Sequence, residues 1–180
     1  MDLKKLIEEV KKLQADHAAI IDASVIEYSS EFRHYCEQNR CGQYGTNWMC
    51  PPLVGSFDEL RKKAARYEKC LVFQTVHPIS HSLDWKGMKK AFSVHDDVLR
   101  RIVGHMSARY GAEELLFLGA GPCTTCGKCA AVDGEVCRYP DRAVASLEAY
   151  GIDVGQLTKS CSIPYHNGKN TVSYVGCVLF

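Results

Sequence analysis

The sequence predicts an α/β fold: a single domain over residues 1–180, with a mixed sheet containing a βαβ unit and two cysteine-rich loops at one end. Three observations predict it. Cys70–Val76 and Leu115–Leu118 are short, bounded apolar runs, the mark of buried strands. Between them Met88, Phe92, His95, Leu99, Ile102 and Met106 recur at steps of four and three, one continuous helical stripe. Seven of the ten cysteines fall into two tight groups, Cys36, Cys41 and Cys50, then Cys123, Cys126, Cys129 and Cys137.

The elements follow in order. Leu3, Leu6, Val10 and Leu13 make residues 2–14 an amphipathic helix. Ala18–Ile26 reads as a strand and residues 30–38 as a helix that runs into the first cysteine group. Ser56 and Glu59 form a capping box that opens a helix to about Tyr67. The strand at 70–76 ends near Pro78; the striped helix spans about Trp85 to Arg109, with Gly111 as its stop. The strand at 115–118 completes the βαβ unit, its two strands expected parallel with a right-handed crossover. Asp141 is expected to cap a helix to Tyr150, ended by Gly151, and Asp153 with Gln156 to open a shorter one. Asn167-Gly168 is a tight-turn signal, and Thr171–Leu179 is the last expected strand.

Composition narrows the function. Lys plus Arg number 22 against 21 Asp plus Glu, so the basic excess of a dedicated nucleic-acid binder is missing. No apolar run reaches the length of a membrane span. The opening MDLKKLIEEVKKL alternates acids and bases and lacks the features of a signal peptide, which places the chain in a reducing cytoplasm. There, ten cysteines point to metal rather than to disulfides, because thiolate is the soft ligand of zinc and iron–sulfur clusters.

Spacing separates the two metals. Cys123, Cys126 and Cys129 form a C-x2-C-x2-C run, in which three thiolates reach three irons of one cubane and a later cysteine, here Cys137, takes the fourth. A structural zinc draws four ligands, usually from two separate knuckles, and is the alternative. Gly119, Gly121 and Gly127 let backbone N–H groups approach inorganic sulfide. The first group, Cys36, Cys41 and Cys50-Pro51-Pro52, suits a second 4Fe–4S cluster, a zinc site or free thiols. Tyr44 and Trp48 either wall that site or pack in the core. Two cubanes need eight ligands and the groups supply seven cysteines, so one iron is open or takes Cys70, Cys161, Cys177 or His34. Cys70, Cys161 and Cys177 lie in apolar stretches and read as core thiols.

The chain resembles the predicted metal-binding proteins catalogued as domain of unknown function 2284. The resemblance rests on Cys36, Cys41 and Tyr44-Gly45-x-x-Trp48-x-Cys50-Pro51-Pro52; on Leu118-Gly119-Ala120-Gly121-Pro122-Cys123 with Cys126 and Cys129; and on Cys137-Arg138-Tyr139-Pro140 with Glu148–Val154. It implies metal or iron–sulfur binding, in bacteria and archaea that are often anaerobic, and brings no established reaction.

Other residues read more plainly. His95 is a hydrogen-bonded core histidine, and His77 and His81 are loop residues. Glu148 and Asp153 suit capping roles, and Arg138 pairs with an anionic substrate or with Asp141. No Walker loop, dinucleotide fingerprint or nucleophile elbow is present. The expected function is electron transfer to a redox partner protein by one or two 4Fe–4S clusters. The alternatives are an enzyme binding substrate at an open iron and a zinc-stabilised module. Neither nucleic acid nor membrane is an expected partner, and the oligomeric state is left open.

Overall fold

A computed structural model describes residues 2–180 and shows the expected α/β architecture. Its one mixed sheet contains β1 (His17–Asp22), β2 (Lys69–Pro78), β3 (Leu116–Gly119), β4 (Ala145–Ser146) and β5 (Thr171–Leu179), in the order β1-β2-β5-β3-β4. Five helices surround it: α1 (Leu3–Lys12), α2 (Ser30–Glu37), α3 (Phe57–Ala64), α4 (Trp85–Tyr110) and α5 (Val154–Ser160). Their starts follow from local chemistry. The Ser56–Glu59 capping box forms in both directions, the Asp84 carboxylate accepts from Gly87 N at 2.8 Å, and that of Asp153 accepts from Gln156 N at 3.0 Å. Gly111, at φ 82°, ends α4.

The expected βαβ unit forms with a strand inserted into it, and one other expectation needs correction. β2 and β3 flank α4 in sequence, as a βαβ unit requires, but β5 lies between them and pairs antiparallel with both. They therefore run parallel to each other without sharing hydrogen bonds. β5 takes the centre because its last five residues, Val175 to Leu179, are buried on both faces. The expected helix over 141–150 does not form. Val144 to Leu147 are all buried, whereas a helix there would turn one side to solvent. Ala145–Ser146 instead pairs parallel with β3, and Leu147 N donates to Gly119 O at 3.0 Å.

Strand alternation sorts the core into two layers. Leu71, Phe73 and Val178 face α1 and α4, meeting Leu6, Val10, Leu99, Ile102 and Met106. Cys70, Val72, Val175 and Cys177 face the other way, against Leu60, Tyr150, Ile152 and Leu157. Gly119 proves to be a packing residue: a Cβ there would stand 2.7 Å from Leu99 Cδ2, so the end of β3 rests directly on α4. That contact fixes where the second cysteine loop leaves the sheet.

His95 lies in the first layer, 1% exposed, between the Phe73 and Tyr174 rings. Its Nδ1 and His77 Nε2 each lie 2.9 Å from the Thr75 hydroxyl, which can donate to one ring and accept from the other. Its Nε2 is buried without a partner. Burial, then the neighbouring His77, pushes its pKa down to about 4 from 6.5. The unfolded chain thus takes up a proton below pH ~6.5 that the native state refuses until about pH 4. His95 stabilises the fold fully above that window and loses up to ~3 kcal/mol of stability as pH falls through it. Urea unfolding of wild type and His95→Gln across pH 4–7 should show a steeper acid loss in wild type. Equal slopes would disprove this account.

Candidate metal centre

The first cysteine group begins on α2. Cys36 lies in its last turn, and the chain then reverses through Asn39, Gly42 and Gly45, all at positive φ. Gly45 N donates to Pro51 O at 2.9 Å and Cys50 N to Asn47 O at 2.9 Å, which folds Cys50 inward until it is only 8% exposed. The second group leaves the end of β3 on a loop with two short 3-10 turns, Ala130–Asp133 and Pro140–Arg142.

The two loops meet. Asn47 Nδ2 donates to Cys123 O at 3.1 Å, the Trp48 backbone N–H to Cys129 Sγ at 3.4 Å, and Trp48 Nε1 to Glu135 O at 2.9 Å. Residues more than 70 apart in sequence thus stand together at the carboxyl end of β3. All seven cysteines are free thiols: Cys41 is exposed, Cys50 buried and the rest half-buried. Among the described residues, no three Cys, His, Asp or Glu side chains close on one point as a single-ion site.

Electrostatics tie the groups together as well. Burial pushes the Cys50 thiol up to about 12, and Cys41, Cys36, Cys123 and Cys129 each add to the rise. Cys50 therefore lies within the field of thiols from both loops. Burial also raises Cys36, followed by the Glu148 carboxylate and Cys41, while Arg33 opposes them. Cys123 shifts the other way. Burial is its largest single influence and an upward one, but the Thr125 hydroxyl and N–H, the Val144 N–H and Arg100 together outweigh it.

This donor set fits a soft metal. Thiols crowded and partly desolvated keep their protons until a cation replaces them. A buried Arg33 nitrogen, Nη1, has no hydrogen-bond partner one helical turn from Cys36, a free donor beside the thiols. Gly127 opens on empty space, leaving room for its backbone to approach a bound group.

The model of the family of predicted metal-binding proteins called domain of unknown function 2284 matches residues 19–180. The chain belongs to that family. No curated protein matches it. Two solved structures resemble it, both of epoxyqueuosine reductase, one from Bacillus subtilis and one with an epoxyqueuosine-modified tRNA-Tyr stem loop. Identities are 12% and 11%, and TM-scores 0.41 and 0.40. Each covers 97% of this chain, which spans only 44% of either reductase chain.

Within this predicted metal-binding protein, the remaining cysteines stand apart from the loops. Cys70 and Cys177 are fully buried in the second core layer and Cys161 packs against that layer. His34 pairs with Glu37 at 2.9 Å on the exposed side of α2. Trp48 is half-buried outside both core layers, with its backbone N–H on Cys129 Sγ, and clips one loop to the other. Arg138 does not pair with Asp141: its Nη1 donates to Lys128 O at 3.0 Å and its Nη2 approaches Glu135 at 3.4 Å, bracing the second loop. Asp153 caps α5, as expected. Glu148 does not cap a helix; it lies on the 3-10 turn against which α2 packs, its acid raised by burial against the pull of its own N–H and the Ser146 hydroxyl.

Sequence reasoning missed Asn47, Arg33 and Glu148 as neighbours of the thiols. Asn47 sat between motif residues, and its near-complete burial at 3% is unusual for an asparagine. Arg33 precedes Cys36 by three positions on a helix, a spacing that shares one face. Glu148 is legible in the sequence only as the first residue of the family motif Glu148–Val154, which carries no sign of its nearness to Cys36.

Proposed function

We propose that this metal-binding protein holds 4Fe–4S clusters on its seven grouped cysteines and passes single electrons to a redox partner protein. Cys123, Cys126, Cys129 and Cys137 hold one cluster, and Cys36, Cys41 and Cys50 hold a second. The observation that supports the reading is the meeting of the two loops through Asn47 and Trp48, which brings the first cysteine loop against Cys123 and Cys129 of the second. A bound 4Fe–4S group supplies one-electron chemistry. The chain's own part is to hold thiolates, to donate N–H groups toward sulfur as Trp48 does to Cys129, and to exclude water at Cys50.

The half-exposed cysteines of the second loop lie beside exposed apolar residues, Val132, Val136 and Tyr139, a surface on which a protein partner can settle. Among the described residues, no helix is long and apolar enough to cross a membrane. A reducing cytoplasm is the setting this reading requires, with residues 1–180 acting as one domain and with neither nucleic acid nor membrane as partner. Protein purified without oxygen should be brown and carry iron and acid-labile sulfide in equal amounts, with zinc near background. Colourless protein holding zinc would overturn the reading in favour of a structural zinc module.

A further inference from the structure

A cavity of about 290 Å³ lies on the sheet face opposite α4, close to the lower bound of ligand pockets. Its floor is Gln74, Ser173 and Val175 of β2 and β5. One wall is Ala120, which leads into Cys123, and another is Glu148, whose charge is felt at Cys36. The cavity therefore borders the start of the segment that carries the second cysteine group and the turn against which α2, with Cys36, packs. Tyr165, His166, Asn167 and Gly168 form its rim.

The rim is built rather than loose. Gln74 is fully buried in the middle of the sheet, where an amide is expensive unless its hydrogen bonds are met. Both ends of that amide hold the rim: Nε2 donates to Pro164 O at 2.9 Å, and Oε1 accepts from Asn167 Nδ2 at 3.1 Å. Asn167 Nδ2 also stands 2.8 Å from Ser173 Oγ and 3.2 Å from Pro164 O. A buried polar network of this kind rigidifies what it touches. It leaves the Asn167 side-chain oxygen free of those bonds.

The lining has one sign of charge. It contains the Glu148 carboxyl and neither lysine nor arginine. A phosphate or carboxylate would enter without a counter-charge and meet a negative wall. A donor-rich cation meets the Glu148 carboxyl and the Asn167 oxygen, with Tyr165 at the rim available to its flat face. We infer that this cavity binds a small organic cation or hydrogen-bond donor of the amine, amidine or guanidine class, against the metal centre. The last clause alone rests on the metal reading above.

The probes are benzamidine and benzoate, planar molecules of one shape and opposite charge, titrated calorimetrically into anaerobically purified protein. Benzamidine should bind the wild type and benzoate should not. Glu148→Gln, which keeps shape and loses charge, should weaken benzamidine about tenfold, or ~1.4 kcal/mol. Lys89→Ala, exposed on α4 across the sheet from the cavity, should leave benzamidine affinity unchanged and controls for the substitution itself. Circular dichroism on each variant verifies folding. Equal binding of the two probes, no binding of benzamidine, or an unchanged affinity in Glu148→Gln would overturn the inference. Iron and sulfide are assayed on the same samples. Colourless protein that still binds benzamidine removes the metal reading and keeps the cavity; brown protein that ignores benzamidine does the reverse.

Discussion

Replacing Cys126 with serine should remove one cluster's share, about four irons and four sulfides per chain, and leave the protein folded. Cys126 is the middle thiol of the C-x2-C-x2-C run and half-buried on a loop that has little regular structure beyond two 3-10 turns. Serine keeps the shape but is a poor soft-metal ligand. The core does not depend on it, because the buried residues of both apolar layers lie outside the two loops, with Met49 of the first loop packed against them. Hydrogen exchange on metal-free protein should then show residues 36–52 and 120–140 open and residues 88–106 protected. Iron and sulfide unchanged in Cys126→Ser would remove that residue from the site. Equal protection of loops and helix would show that the loops are ordered without metal.

Gly151→Ala should be the most damaging small substitution at the centre. Gly151 sits at φ 70°, and a Cβ there would stand 2.6 Å from Ser29 O and 2.4 Å from the Phe57 ring. Its carbonyl also accepts from Ser29 N at 2.7 Å, the bond that seats the start of α2, and so Cys36, against the turn carrying Glu148. Left-handed backbone for alanine costs about 1–2 kcal/mol, and forced overpacking about 1–3 kcal/mol more. A loss of ~2–5 kcal/mol is a large part of a domain's stability. Gly104→Ala makes the contrast. Gly104 lies within α4 with nothing within 4 Å of a Cβ, so alanine there should stabilise by about 0.5–1 kcal/mol. Urea unfolding midpoints of the two variants should move in opposite directions; a neutral Gly151→Ala would refute the close-approach argument.

By itself, the sequence determined the elements whose causes are local. The α4 stripe, the Ser56 capping box, the Asp153 cap and the glycine stop at Gly111 are written in spacings of a few residues, and each is found, whereas Gly151 ends a 3-10 turn and not the expected helix. It also points to a donor set, since seven of its ten cysteines fall in two close groups, a pattern that admits few other chemistries. Tertiary structure decided the rest. The helix expected over 141–150 gave way to β4 because Val144 to Leu147 are buried beside β3, and burial on all sides overrides a capping signal. β5 entered between β2 and β3 because strand order is set by which apolar run can be covered on both faces, a property of the whole sheet. Meeting of the cysteine loops depends on bonds from Asn47 and Trp48 across more than 70 residues, and the cavity depends on Gln74 reaching Asn167. Such contacts leave no periodicity in the chain, because each is made by a pair of residues whose nearness exists only once the sheet has formed.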